Sequence, residues 1–221
     1  MGTITRSFAN NITTGGVLKA DAFNNASLNN VTALNAAIAT GGMVLLSSQT
    51  ASSSASISFT TGIDSTYKEY QFWFINIKAS TDSAFTFNLS TDSGSNYNVT
   101  KTSSMFIAYN FENDGGNSLA YESGSDLAQS TAFQKLIYFE QNADADSGLV
   151  GMLNIFNPSS TTYVKHFIAN TNAMATSGAN RFSTVCHLAG YGNTASAINA
   201  VRFQMSSGNI DDGTILMFGI K

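Results

Sequence analysis

The amino-acid sequence predicts an all-β protein: an antiparallel β-sandwich of jelly-roll type with an extended N-terminal arm and one short helix. Short segments in which apolar and polar residues alternate recur from residue 43 to the end of the chain. Clusters of Gly, Ser, Asn and Asp separate these segments, as turn residues separate strands. Many strands joined by several longer connections favour a jelly roll over a meander. No repeat at the periods typical of solenoids is visible, which argues against a β-helix.

The composition favours a subunit that packs against other protein. The chain has 221 residues, of which 43% are hydrophobic and only 11% are charged, against about 25% charged in ordinary globular proteins. Small polar residues replace the missing charges, and such a surface repels other subunits weakly. Cys186 is the only cysteine. No disulfide within the chain can form, which fits folding in the reducing cytosol, and we expect this thiol to be buried.

The most apolar segment covers residues 69–78 and organises the predicted sandwich. Its alternate residues form two apolar faces: Tyr70, Phe72 and Phe74 on one, and Trp73, Ile75 and Ile77 on the other. A strand that is apolar on both faces must be covered on both. The core covers one face, and we expect a helix, a loop or another subunit to cover the second. The residues predicted for a subunit interface are Tyr70, Phe72, Trp73, Phe74 and His166.

Two regions are predicted: residues 1–42 as an N-terminal arm and short helix for anchoring, and residues 43–221 as the sandwich. Apolar residues recur at spacings of three and four between Ser27 and Thr40, which predicts the helix. The first 23 residues cannot bury enough apolar surface to fold alone. They are either a frayed terminus or an arm that becomes ordered on a neighbouring subunit. The anchoring residues of such an arm are Ile4, Arg6, Phe8, Ile12, Val17 and Phe23.

Two later stretches bear on structure and binding. Residues 149–156 and 162–170 alternate on either side of the turn 157–160, and this pair predicts a hairpin. The stretch Asn110–Ser130 is long and rich in Gly, Asn, Ser and acidic residues. A loop of that length in a compact domain is usually functional or covers a sheet edge. The aromatic residues that such a loop would offer to a glycan are Tyr109, Phe111 and Tyr121.

Residues that could carry chemistry form no recognisable site. The loop acids Glu112, Asp114, Glu122 and Asp126 define no carboxylate pair of the kind that glycoside cleavage needs. The turn from Asp144 to Gly148 alternates oxygen ligands like a calcium loop but lacks the later glutamate, so an acidic turn is favoured over a calcium site. Cys186 and His187 are adjacent and would point to opposite faces of a strand. We therefore expect no catalytic residues, no cofactor and no metal.

The charge pattern and the length of the apolar runs argue against two classes of partner. The net charge is −4 and no basic stripe occurs, whereas phosphate contacts need clustered Lys and Arg. No apolar run reaches the length of a membrane helix. We expect neither a nucleic-acid partner nor a membrane partner.

Three passages carry a resemblance to a known family: SSQTASSSASISFTTGIDSTYKEYQFWFINI (47–77), FNPSSTTYVKHF (156–167) and SSGNIDDGTILMFGIK (206–221). Together they resemble a β domain of virion structural proteins from tailed bacteriophages, especially phages of cyanobacteria and other aquatic bacteria. The start TITRSFANNITT is also similar to the starts of such proteins. That domain occurs in head decoration (cement) proteins and in tail fibres, and it brings no catalytic residues.

Three hypotheses follow from this resemblance. The first is a capsid decoration protein, a homotrimer on the outer surface of the phage head whose arm binds the major capsid protein. The second is a tail or head fibre domain that binds a host surface glycan. The third is a depolymerase, which the missing β-helix and the missing carboxylate pair disfavour.

Overall fold

Two antiparallel β-sheets pack face to face in the computed structural model, which describes residues 42–177 and 180–221. The strands within these ranges are β1 (Met43–Thr50), β2 (Ile57–Phe59), β3 (Glu69–Ala79), β4 (Phe85–Ser90), β5 (Lys101–Phe111), β6 (Asn117–Tyr121), β7 (Gln134–Lys135), β8 (Leu149–Phe156), β9 (Lys165–Ser177), β10 (Asn180–Gly192), β11 (Ala200–Met205) and β12 (Ile210–Ile220).

The larger sheet has eight strands in the order β1–β12–β3–β8–β9–β10–β5–β6, and the smaller has four in the order β2–β11–β4–β7. The paired strands are antiparallel throughout. The predicted all-β antiparallel sandwich is therefore confirmed, while its jelly-roll type stays a prediction. The predicted anchoring arm and the helix over Ser27–Thr40 lie outside the described residues.

Aromatic rings fill the space between the two sheets. The ring of Phe203, on β11, lies with its centroid 5.3 Å from those of both Phe72 and Phe74 on β3. Phe85 stacks on Phe203 at 5.8 Å, and Phe59 contacts Phe72 at 5.3 Å. All five side chains are buried. Buried aromatic rings contribute large apolar areas and favourable edge contacts, so β3 and β11 form the centre of the sandwich.

The larger sheet extends beyond the smaller one, and the segment 122–148 covers the excess. The backbones of Lys101 on β5 and Ser130 bond to each other in both directions, at 2.8 and 3.0 Å. The Thr171 hydroxyl on β9 donates to the carbonyl oxygen of Leu136 at 2.5 Å, and Leu136 is fully buried. This segment therefore completes the core beneath β9, β10 and β5.

The same region departs from a sequence prediction. Within residues 131–140 only Gln134–Lys135 forms a strand. Residues 110–130 were expected to form a long loop, yet they contain β6, which pairs with β5 as a hairpin. The apolar character of β6 is hidden among small polar residues. The rest of the region is held by isolated backbone bridges, such as Lys101 to Ser130, and by side-chain bonds rather than by a continuous ladder.

The hairpin predicted from residues 149–156 and 162–170 is confirmed, because β8 pairs with β9 from Leu149 to Ile155. The prediction that Ile77 shares a face with Trp73 and Ile75 is wrong. A bulge in β3 lies between Phe74 and Ile77, and Asn76 within it has a φ of 50°. The extra residue moves Ile77 to the inner face, where it is fully buried.

A glycine permits this bulge. Gly213 on β12 has a φ of 113°, and a Cβ atom at this position would lie 2.6 Å from the carbonyl oxygen of Asn76. Any other residue would clash with backbone there, so β12 needs glycine opposite the bulge.

A lysine is buried at one end of the sandwich. Lys101 has no exposed surface, and its Nζ donates to Asn88 Oδ1 at 2.5 Å and to the carbonyl oxygen of Val99 at 2.8 Å. Both acceptors are uncharged. Burial lowers the pKa of Lys101 to about 7, because the charged form loses its hydration. Burial also lowers the pKa of Lys165, whose Nζ donates to the carbonyl oxygen of Tyr163 at 2.5 Å.

Lys101 should make the stability of the protein depend on pH. Its folded pKa of about 7 lies below the ordinary 10.5, so the unfolded chain binds more protons between these values. The free energy of unfolding should therefore rise with pH, by about 1–2 kcal/mol between pH 7 and pH 8.5 from this group alone. Urea unfolding at the two pH values measures the rise.

Replacing the lysine isolates this effect. The Lys101→Met variant should lose the rise, whereas Lys68→Met, at an exposed lysine, should keep it. If Lys101→Met kept the wild-type pH dependence of the free energy of unfolding, the assignment of that dependence to Lys101 would be contradicted.

Candidate functional site

The strongest candidate for a functional surface is the outer face of the larger sheet, which is the face directed away from the smaller sheet. Cross-strand register places its outward residues in rows. The central row runs from β1 to β6 through Ser48, Leu216, Trp73, Met152, Asn170, His187, Phe106 and Tyr121. The first flanking row contains Thr50, Thr214, Ile75, Val150, Asn172, Val185, Ala108 and Leu119. The second contains Leu45, Phe218, Gln71, Asn154, Ile168, Ala189 and Ser104.

Strand alternation determines which predicted interface residues reach this face. Successive side chains of a strand point to opposite faces, and β3 buries Tyr70, Phe72 and Phe74 in the core. The prediction that these three residues form a subunit interface is therefore wrong, since they have no surface to offer. Trp73 and Ile75 project from the outer face instead, and Ile75 is exposed.

The outer face exposes many large apolar side chains. Those exposed by 37% or more are Leu45, Ile75, Phe106, Leu119, Tyr121, Val150, Met152, Ile168 and Val185. They come from seven of the eight strands, and the eighth, β12, adds the half-buried Leu216 and Phe218. Soluble monomers rarely expose a contiguous apolar patch larger than a few hundred Å². This face therefore has the character of a surface that another molecule covers.

Charge is absent from the three rows of the outer face. None of their positions holds Asp, Glu, Lys or Arg. Glu69 lies one row beyond them, on β3. Burying the three rows would place no charged side chain of their own in the contact, which limits the cost of charge desolvation. Two carboxylates, Glu69 and Asp126, accept hydrogen bonds from Asn154 and Tyr121 at the margin of the face.

The polar side chains of the outer face bond to one another. The Trp73 indole N–H donates to Gln71 Oε1 at 2.5 Å, and Gln71 Nε2 donates to Asn154 Oδ1 at 3.0 Å. His187 Nδ1 and Asn170 Oδ1 also form a hydrogen bond. These bonds already satisfy some of the polar groups of the outer face, so a partner need not supply a hydrogen bond to every one of them.

His166, the remaining residue predicted for the interface, is exposed at the margin of the outer face. Its ring centroid lies 6.0 Å from that of Tyr191. Both residues line a shallow depression of about 440 Å³ that also contains Phe156 and Gly190. The position of His166 leaves it available for contact.

The three aromatic residues predicted for a glycan-binding loop do not come together. Tyr109 and Phe111 are half-buried, and their ring centroids lie 5.6 and 5.2 Å from that of Phe182, on the inner side of the sheet. Tyr121 is 58% exposed on the outer face. Its hydroxyl donates to Asp126 Oδ2 at 2.5 Å, and this bond raises the pKa of Tyr121. Only Tyr121 remains accessible at the place that the prediction required.

The four acidic residues considered for glycoside cleavage form two pairs that lie at opposite ends of the β5–β6 hairpin. Glu112 and Asp114 lie in the turn between β5 and β6, whereas Glu122 and Asp126 follow β6 at the other end of the hairpin. The length of β6 therefore stands between the two pairs.

Arg181 neutralises the acidic turn that was weighed as a calcium loop. It forms ion pairs with Asp144 at 2.9 Å and with Asp146 at 3.4 Å. Within residues 42–177 and 180–221, no group of three or more His, Cys, Asp and Glu side chains is placed to hold a metal ion.

Cys186 and His187 lie on opposite faces of β10, as their adjacency predicts. Cys186 is buried, and its Sγ accepts a hydrogen bond from the Tyr138 N–H at 3.3 Å. Burial raises the pKa of the Cys186 thiol, so the reactive thiolate is disfavoured. The two side chains cannot act as a catalytic pair.

The sequence indicated that β3 is apolar on both sides, but it did not show which side is outward, and the extent of the outer face was not predicted. The signal for the other strands was available in β8, where Val150 and Met152 alternate with buried residues. On β9 and β10 the outward positions mix Asn, Ser and His with Ile and Val, and this mixture conceals the apolar part.

In the part of the chain that the structure describes, no helix has the length and apolar character to cross a membrane. No family model, curated protein or solved structure matches the chain.

Proposed function

We propose that this protein is a structural subunit without catalytic activity, which acts by packing against other protein through its outer face. The observation that carries the proposal is the outer face itself, an eight-stranded apolar surface with no charged residue in its three rows. Interface cores are depleted in charge and enriched in aromatic residues and methionine. Trp73, Phe106, Tyr121 and Met152 give this face that composition.

The setting that we propose is the outer surface of a tailed-phage head, where the protein serves as a capsid decoration (cement) protein. This part rests on the sequence resemblance of residues 47–77, 156–167 and 206–221 to virion structural proteins. The N-terminal arm, residues 2–23, and the short helix that follows it within residues 1–42 bind the major capsid protein or a neighbouring copy. Several copies, expected as a homotrimer, bind together. Linked weak contacts add their free energies, so the assembly resists the outward pressure of packaged DNA.

The strand order is compatible with the jelly-roll type that we propose for this sandwich. We interpret the run β1–β12–β3–β8 of the larger sheet and the order β2–β11–β4–β7 of the smaller one as the two sheets of a jelly roll. On this interpretation, β5–β6 and β9–β10 are insertions that widen one sheet. Viral capsid domains are among the proteins that use jelly rolls.

Deleting the arm tests the capsid-binding part of the proposal. A chain that lacks residues 2–23 should bind expanded, undecorated capsids at least about tenfold more weakly, because the anchoring contacts are lost. Co-sedimentation with capsids measures binding. Circular dichroism and the melting temperature serve as the control, since residues 43–221 should stay folded. Unchanged capsid occupancy would contradict the proposal.

A fibre domain that binds a host surface glycan is the second candidate. It is favoured by one observation, the exposed Tyr121 ring at the sheet edge with its hydroxyl bonded to Asp126. Aromatic rings stack on sugars, and a neighbouring carboxylate can accept hydrogen bonds from sugar hydroxyl groups.

This candidate predicts that the isolated protein binds host cells and that Tyr121→Ala weakens the binding by about tenfold, which corresponds to about 1.4 kcal/mol of lost contact. Flow cytometry with labelled protein measures it, with Tyr163→Ala as the matched control at a tyrosine that is 68% exposed elsewhere. Equal binding by both variants and the wild type would show that Tyr121 does not take part in glycan binding.

A further inference from the structure

We propose that the outer face binds a second copy of this chain, with the outer faces of the two copies packed against each other. The inference rests on the proposed function, which assigns the outer face to protein contact, and it names the partner. Three properties of the described residues lead to it: the size of the face, its lack of charge and its internal hydrogen bonds.

The size of the face matches one half of a stable protein–protein interface. Eight strands spaced about 4.8 Å apart span about 34 Å, and three rows of outward residues cover about 20 Å along the strands. The resulting area of about 700 Å² is close to the roughly 800 Å² that each partner contributes to a standard interface. No segment among residues 42–177 and 180–221 lies over the rows, since their apolar side chains are exposed.

The lack of charge favours a copy of the same chain over a different, charged partner. A contact between identical faces must be complementary to itself. A face with charges of one sign would repel its own copy, whereas a charged partner would leave its charges unpaired against these rows. The outer face can be complementary to itself because its exposed aliphatic side chains carry no charge. These are Ile75, Val150, Met152, Ile168 and Val185.

The hydrogen bonds within the face lower the cost of burying it against a surface of the same kind. Trp73, Gln71 and Asn154 form a continuous chain of bonds that ends at Glu69 Oε1, 2.7 Å from Asn154 Nδ2. The same three side chains are bonded to one another in an identical face, so contact between two copies can rely on the apolar side chains. Such a contact does not require new polar pairs, and polar groups that are already bonded are not orphaned by it.

The test is the mass of the full-length protein in solution, measured by light scattering after size-exclusion chromatography at about 100 µM, where an interface of micromolar affinity is mostly occupied. The wild type should have the mass of an even number of copies, because each contact between two outer faces joins one pair: two copies, or six where two of the proposed trimers meet. Met152→Lys and Ile75→Lys each place a charge in the contact and should halve that mass. Both residues are exposed in the single chain, so circular dichroism should show the wild-type fold.

Two matched controls separate the contact from general effects of substitution. Met152→Leu keeps the apolar character and should keep the wild-type mass. Tyr163→Lys adds the same charge at an exposed position outside the three rows and should also keep it.

A wild type with the mass of one copy or of three copies, or a Met152→Lys chain that keeps the wild-type mass, would overturn the inference. These outcomes are distinct from failure of the proposed function. A monomer that still binds capsids would refute the contact between copies but not the proposed capsid binding. An oligomer that binds no capsid would support the contact between copies and refute capsid binding.

Discussion

The structure depends on the mismatch between two sheets of unequal width. A strand presents side chains to both faces, and the eight strands of the larger sheet meet only four on the smaller one. The protein covers the remaining inner surface with the segment 122–148, through contacts such as Thr171 to Leu136. The outer face has no such cover among the described residues, and it holds exposed apolar side chains on seven strands. Assembly is the physical outcome that this arrangement favours.

β3 connects the core to the outer face. Its inward rings, Phe72 and Phe74, pack on Phe203 and hold the two sheets together. Its outward Trp73 lies in the middle of the outer face, 5.1 Å from the ring of Phe218. The position of the outer face is therefore set by the same strand that stabilises the sandwich, and mutations of the inward rings would disturb both.

Alternation of apolar and polar residues was sufficient to predict the sandwich, the β8–β9 hairpin and the opposite directions of Cys186 and His187. It was insufficient where pairing is not local. The bulge at Asn76 reverses the expected direction of Ile77, and the glycine that permits it, Gly213, is distant in the chain. The two-sided apolar pattern of β3 predicted an interface, yet the sequence could not tell which face was inward. The face assigned to Tyr70 is the core, because the rings of the smaller sheet fill it.

Hydroxyl-radical footprinting of the full-length protein tests the central claim that the outer face is a protein contact. The oxidation rate of Met152 should fall between about 1 and 100 µM protein, the range in which micromolar contacts form, while that of Tyr163 should stay constant. Rates for Met152 and Tyr163 that are both independent of concentration would contradict the claim.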